Sequence, residues 1–281
     1  LAMLDGTLVS CSLLLWWGWL GCSKSFGRAL AAGLACSGIL LLKPPAILGF
    51  GAIALLAGGS GLHPRGRRWL AFILGLLPGV SWHLWHWFIR GDDAFLMWGG
   101  QGLARLTTTV GDGFGWWTPW AELLEGGWPW LLLLPAGIGW AWSHRREKAA
   151  RWQLVLLLGS AVMVLPLRTQ LPWYSHLLWP PIALLCAEGL HQLLEQGRPR
   201  WVSPTWLVMG GVLTILGCVV IVNQSSTIPG LSLVLAGLGI AAGGLTLQAK
   251  TRQRRWQGLG ILVIGWGCAL IALWHSQLWL W

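Results

Sequence analysis

The stretch Ser203–Val222, SPTWLVMGGVLTILGCVVIV, contains no charged residue. About 20 such residues make a helix long enough to cross the hydrocarbon core of a bilayer. Working outward from it, comparable apolar runs recur at 6–22, 29–42, 45–62, 69–89, 128–143, 152–167, 175–194, 230–248 and 258–276. Together they predict an all-α, polytopic transmembrane helix bundle of about ten spans. Composition agrees, since 55% of the residues are hydrophobic and only 10% are charged, against roughly 25% charged in a soluble domain. These proportions exclude a soluble globular domain, a disordered chain, a coiled coil and a disulfide-stapled secreted fold.

The net charge of +10 does not point to nucleic acid, because the cations sit in short clusters between apolar runs. Threading the chain through ten spans places Lys43, Arg90, Arg105 and Arg168 on one side and the other fifteen Lys and Arg on the opposite side. Cytoplasmic loops carry such an excess, so the fifteen are assigned to the cytoplasm. One point in this threading is critical. Residues 29–62 form either two short segments split at Lys43-Pro44-Pro45 or one long span. A single span would bury a lysine and two prolines near mid-bilayer, at a cost of a few kcal/mol for the lysine. The split is therefore preferred, with Lys43 at an outer turn. Six of the acids then lie outside, namely Asp5, Asp92, Asp93, Asp112, Glu122 and Glu125, together with the polar connection 89–127.

Several of these outer residues suit chemistry. Lys43, alone between apolar helices, can hold a phosphate as a point charge or snorkel to lipid phosphate. The stretch 94–109 predicts a short interfacial helix presenting Gln101 and Arg105 one turn apart, with Arg105 a second phosphate ligand. Trp116, Trp117, Trp120, Trp128 and Trp130 form either an aromatic belt or a platform for a sugar face or isoprenoid tail. Arg168-Thr169-Gln170-Leu171-Pro172-Trp173-Tyr174-Ser175-His176 packs hydrogen-bonding groups, including the sole tyrosine of the chain, between two apolar helices. Left unused there, they would be costly. His83 and His86 read as packed histidines, and the six cysteines as small apolar residues without metal or redox spacing. Asp92-Asp93 lacks the further ligands that a divalent cation requires.

The order of motifs is distinctive: LAMLDG at 1–6, LLLKPP at 40–45, PGVSWHLW at 78–85, RGDDAF at 90–95, QGLARL at 101–106, GWPWLLLLP at 127–135 and RTQLPWYSHLLWPPIALLCAEGL at 168–190. This co-linear set resembles the membrane glycosyltransferases of the GT-C superfamily that use polyprenyl-phosphate sugars, the group of the protein mannosyltransferases and the aminoarabinose transferase. The resemblance implies transfer of a sugar from a polyprenyl-phosphate donor to a lipid, glycan or protein acceptor at the extracytoplasmic face of the cell membrane; no cofactor is expected, and a divalent cation is left open. It implies Asp5 as a catalytic acidic residue at an outer helix end, and Lys43, Arg105, Arg168 and Tyr174 as ligands of the donor phosphate. Gln101, Gln170, His176 and Trp117 are the implied substrate-binding residues.

Two departures from the family pattern are visible, Pro44 in place of a glycine after the lysine and Gln101 in place of a common histidine. The resemblance covers residues 1–195 and implies a preceding helix and outer loop, bearing the main catalytic acid, that would lie before Leu1. Without them the fragment alone is expected to be inactive. Residues 196–281 hold further apolar spans of scaffold type. The competing classes are a transporter or flippase, which would carry polar residues toward mid-membrane, and a non-catalytic scaffold subunit.

Overall fold

The computed structural model describes residues 4–58, 64–96, 115–168, 170–223 and 228–275, and among them the regular structure is entirely helical. In chain order the α-helices are α1 (Leu4–Gly21), α2 (Phe26–Leu42), α3 (Ala46–Gly58), α4 (Arg68–Arg90), α5 (Thr118–Gly127), α6 (Leu134–Ser143), α7 (Lys148–Val164), α8 (Trp179–Gln196), α9 (Val202–Asn223), α10 (Ile228–Leu247) and α11 (Arg252–His275). Short 3₁₀ turns occupy Gly91–Phe95, Trp130–Leu133 and Pro172–Leu177. A helix stands at each apolar run read from the sequence. Four segments are long and apolar enough to cross a membrane: Arg68–Phe95, Val202–Asn223, Ile228–Leu247 and Arg252–His275. The interfacial helix expected over 94–109, with Gln101 and Arg105, falls almost entirely outside the described residues.

The chain divides into two compact units, Leu1–Trp128 with Gly139–Leu185, and Pro129–Ile138 with Cys186–Trp281. In the first, the break at Lys43-Pro44-Pro45 is the decisive local event. Proline disfavours helical backbone in the residue before it, and Lys43 leaves the helix at φ −154° and ψ 80°. Its own N–H still closes α2 on the Ile39 carbonyl at 2.8 Å. The prolines fall where a new helix needs no donor N–H groups, and α3 starts at Ala46. At the other end of α2, the Ser25 hydroxyl accepts from the Arg28 N–H and caps the first turn.

Helix α4 lies against α2 in a register that only a parallel arrangement satisfies. The Arg68 guanidinium donates to the Ser23 carbonyl just before α2. Gly75 meets Leu30 and Gly33, Gly79 meets Ser37, and His83 Nε2 donates to the Leu40 carbonyl at 3.0 Å. Both helices therefore run from the 23/68 end toward the 43/90 end. A continuous span through 29–62 would have delivered α4 in the opposite sense, so the chain reverses at Lys43. Helix α7 then packs antiparallel to α3, with Gly159 on Ile53 and Gly49 on Met163, which returns residue 164 to the Lys43 end.

Close helix approach in both units is made by glycine, as expected where lipid offers no hydrophobic drive and packing must come from contact. A Cβ on Gly75 would lie 2.5 Å from the Leu30 carbonyl oxygen. In the second unit, α10 uses two glycine faces. Gly230, Gly237 and Gly244 meet α9, while Gly239 and Gly243 meet α11, where a Cβ on Gly239 would come within 2.6 Å of the Gly265 Cα.

The second unit is also tied by Arg255, which is 7% exposed. Its guanidinium donates to the carbonyls of Leu194 (2.6 Å), Glu195 (2.8 Å), Lys250 (3.0 Å) and Ala249 (3.1 Å). One cation thus satisfies the orphan C=O groups where α8 ends and where the chain leaves α10, with the favourable sign for both helix dipoles. Arg255→Ala is expected to destabilise the protein by about 2–4 kcal/mol, since charge-assisted bonds are each worth roughly 1.5–3 kcal/mol and some carbonyls will rehydrate. Arg255→Lys should recover less than half, because an ammonium cannot span both helix ends. Unfolding midpoints of the two variants in detergent measure this, and equal stability of Arg255→Ala and wild type would refute the clamp.

Candidate functional site

Reversal at Lys43 has a consequence for the polar residues read from the sequence. With α1 packed along α2, the first turn of α1 returns beside the last turn of α2. Asp5 lies in that first turn, where the partial positive charge of the helix N-terminus favours a carboxylate, and Lys43 caps the C-terminus of α2, where a cation is favoured. Their side chains form an ion pair, Lys43 Nζ to Asp5 Oδ1, at 3.7 Å. The pair is neither sealed nor free, with 27% and 15% of the two side chains exposed.

The third participant comes from far along the chain. The Pro172–Leu177 turn packs against α1, α5 and α7, and Tyr174 in it is buried. Lys43 Nζ sits 4.4 Å from the centre of the Tyr174 ring, in range for a cation–π contact. Asp5, Lys43 and Tyr174, separated by up to 169 positions in the chain, thus meet at one end of the first unit. A carboxylate, an ammonium and a phenol ring in contact can hold an anion, orient a hydroxyl and stabilise negative charge as it develops on a leaving group.

The other residues singled out from the sequence are placed around this centre with different roles. His176 shares the 172–177 turn and is half-buried, while Ser175 is buried and its hydroxyl donates to the Pro172 carbonyl at 2.7 Å. Arg168 is exposed beyond the end of α7. Trp117 is exposed at the head of α5, stacked on Trp116 with ring centres 4.3 Å apart, and α5 leans on the same 172–177 turn. Gln101 and Arg105 lie outside the described residues.

Gln170 has a local use that the sequence did not disclose. Its buried amide Nε2 donates to the carbonyls of Leu167 (2.7 Å), Val164 (3.1 Å) and Leu165 (3.3 Å), closing the end of α7, while its buried Oε1 has no hydrogen-bond partner among the described residues. It thereby fixes where the chain turns toward Tyr174. The direct ion pair between Asp5 and Lys43 was likewise not foreseen, although the shared outer side of both residues was the signal available. His83 and His86 are packed as expected, one on the Leu40 carbonyl and the other stacked on Trp82 at 4.8 Å. The cysteines of the described residues are free thiols.

No protein-family model matches this chain, and neither does any solved structure. Among curated proteins it is similar to undecaprenyl phosphate-alpha-4-amino-4-deoxy-L-arabinose arabinosyl transferase 1 of Pseudomonas fluorescens. The two are 33% identical over 88 residues, which is 31% of this chain and 15% of that protein. The chain therefore matches only a small part of a longer relative.

The Lys43–Tyr174 contact makes a prediction independent of any activity. In a double-mutant cycle of Lys43→Ala and Tyr174→Leu, read from unfolding midpoints, a coupling of about 0.5–2 kcal/mol is expected. Tyr174→Phe keeps the ring and should preserve most of it. Strict additivity of the two losses would mean that the ring does not hold the cation.

Proposed function

We propose that this chain is part of an integral membrane glycosyltransferase that transfers a sugar from a polyprenyl-phosphate donor to a lipid, glycan or protein acceptor. The observation that carries the reading is the meeting of Asp5, Lys43 and Tyr174 from three separate elements at one end of the helical unit. The partial likeness to a transferase whose name specifies an undecaprenyl-phosphate sugar supports the donor class. We assign the Lys43 end to the extracytoplasmic side and the cation-rich end to the cytoplasm, with all ten apolar helices as membrane spans.

The chemistry follows from what a phosphate leaving group needs. An acceptor hydroxyl oxygen forms a bond to the anomeric carbon as the bond from that carbon to the phosphate oxygen breaks, and the electron pair stays with the polyprenyl phosphate. The hydroxyl proton passes to the main catalytic carboxylate of the full-length protein, and Asp5 is proposed to act beside it by orienting the acceptor or sugar. Lys43 meets the negative charge arriving on the phosphate, so its contribution is larger in the transition state than in the ground state. Arg168, Tyr174 and Arg105 are proposed to share that phosphate. Gln101, His176 and Trp117 are proposed to contact the sugar or the head of the lipid, Gln170 serves by closing the end of α7 beside them, and the scheme needs no cofactor or metal.

Turnover of a polyprenyl-phosphate-linked sugar by membranes containing the full-length protein tests this. Lys43→Ala should lower it by about 10²–10³-fold, the range seen when one stabilising group is removed from a developing oxyanion, while membrane insertion is unchanged. Wild-type turnover in that variant would remove Lys43 from the reaction. Sidedness is checked separately in a cysteine-free background. A membrane-impermeant maleimide should label Arg90→Cys in intact cells and leave Lys24→Cys unlabelled, and the reverse pattern would invert the proposed orientation.

A further inference from the structure

At the opposite end of the first unit from Lys43 lies a group of cations that the proposed chemistry does not use. The Arg68 guanidinium bonded to the Ser23 carbonyl joins the α1–α2 turn to the start of α4. That bond gathers Lys24, Arg28, Arg65, Arg67 and Arg68 at one end of the three helices. Arg68 is half-buried in its bond, and the other four are exposed. Neither 22–28 nor 64–72 contains an Asp or Glu, and no ion pair is formed by these five cations among the described residues.

Beside the charges runs exposed apolar surface formed by Trp17, Leu20, Phe26, Trp69 and Leu70. Arg28 bridges the two kinds of surface. Its guanidinium lies 4.9 Å over the Trp17 ring, and its side chain is laid across Gly21, where a Cβ would collide with it. This is the geometry of a cation drawn back to the border between apolar and polar surroundings. A soluble anion would match only the charged half of the patch. A phosphodiester carrying acyl chains matches both halves.

We infer that this end of the unit binds the headgroup of an anionic phospholipid, with Lys24, Arg65 and Arg67 on the phosphate and Arg28 at the level where headgroup meets acyl chain. The inference needs the chain to be in a membrane and does not depend on the transferase reading. A juxtamembrane cation contributes about a fivefold preference for anionic over neutral lipid, so several acting together give a preference that is easily read.

Native mass spectrometry of the full-length protein, offered equal amounts of phosphatidylglycerol and phosphatidylcholine, is the test. Wild type should retain phosphatidylglycerol by about tenfold or more. The triple variant Lys24→Gln/Arg65→Gln/Arg67→Gln should fall to within about twofold of parity, while Arg65→Lys/Arg67→Lys keeps the preference. Wild-type preference should also decline as salt rises from about 0.05 to 0.5 M, which decides the matter even if the triple variant melts early. Equal retention by wild type, a well-folded triple variant that keeps its preference, or indifference to salt each overturns the inference. Loss of the preference with excess glycerol 1-phosphate would instead assign the patch to a soluble phosphate and overturn the lipid site.

Discussion

An ammonium group cannot be left in hydrocarbon, and the chain meets that constraint at Lys43 by stopping a helix there. The two prolines that follow make the stop irreversible, because the backbone can neither stay helical at the lysine nor donate through the next two residues. Reversal at this point is what allows α4 to run parallel to α2 and α7 to run antiparallel to α3. Through α3 it also brings the exit of α7 to the lysine, where the packing of α1 along α2 has already set the first turn of α1. Had the chain continued straight, Asp5 and Tyr174 would have no common neighbour.

The strength with which Lys43 is held matters as much as its place. Two unit charges 3.7 Å apart attract by about 4 kcal/mol in a partly buried setting, but exposure of both side chains reduces the net value to about 1 kcal/mol or less. The Tyr174 ring adds about 1 kcal/mol. Together these suffice to orient the ammonium and are small against what a phosphate dianion offers. Contacts of this size position Lys43, and a phosphate of the kind proposed for it would outweigh them.

Hydropathy made the helices legible because a continuous apolar run has few alternatives once it enters a bilayer. The Lys43 break was legible for the same reason, since only one of two threadings kept the charge out of the core. Contacts across distant segments were not. That Gly75 faces Leu30, or that Gly230, Gly237 and Gly244 line one side of α10, depends on register between helices, which their individual patterns do not encode. At the site, residue types and a shared end of the helices could be read, so Asp5, Lys43 and Tyr174 were named separately. Their mutual contacts follow from the packing of α1 along α2 and of α7 along α3 and were out of reach. Gln170 shows the limit most clearly, because the same amide suits a sugar hydroxyl or three helix-end carbonyls, and only geometry tells which groups surround it.

Comparison of Lys43 with Arg255 separates the two uses to which this chain puts a desolvated cation. Arg255 gives its N–H donors to four main-chain carbonyls, and an acceptor entering there would have to displace bonds that close two helix ends. Its charge is spent on the fold. Lys43 closes its helix through its main-chain N–H, bonded to Ile39, which leaves the side-chain charge outside the helix's own hydrogen bonding. The ion pair and the ring contact then aim it without enclosing it. A carboxylate and an aromatic face beside Lys43, against four main-chain carbonyls around Arg255, are what distinguish the two settings.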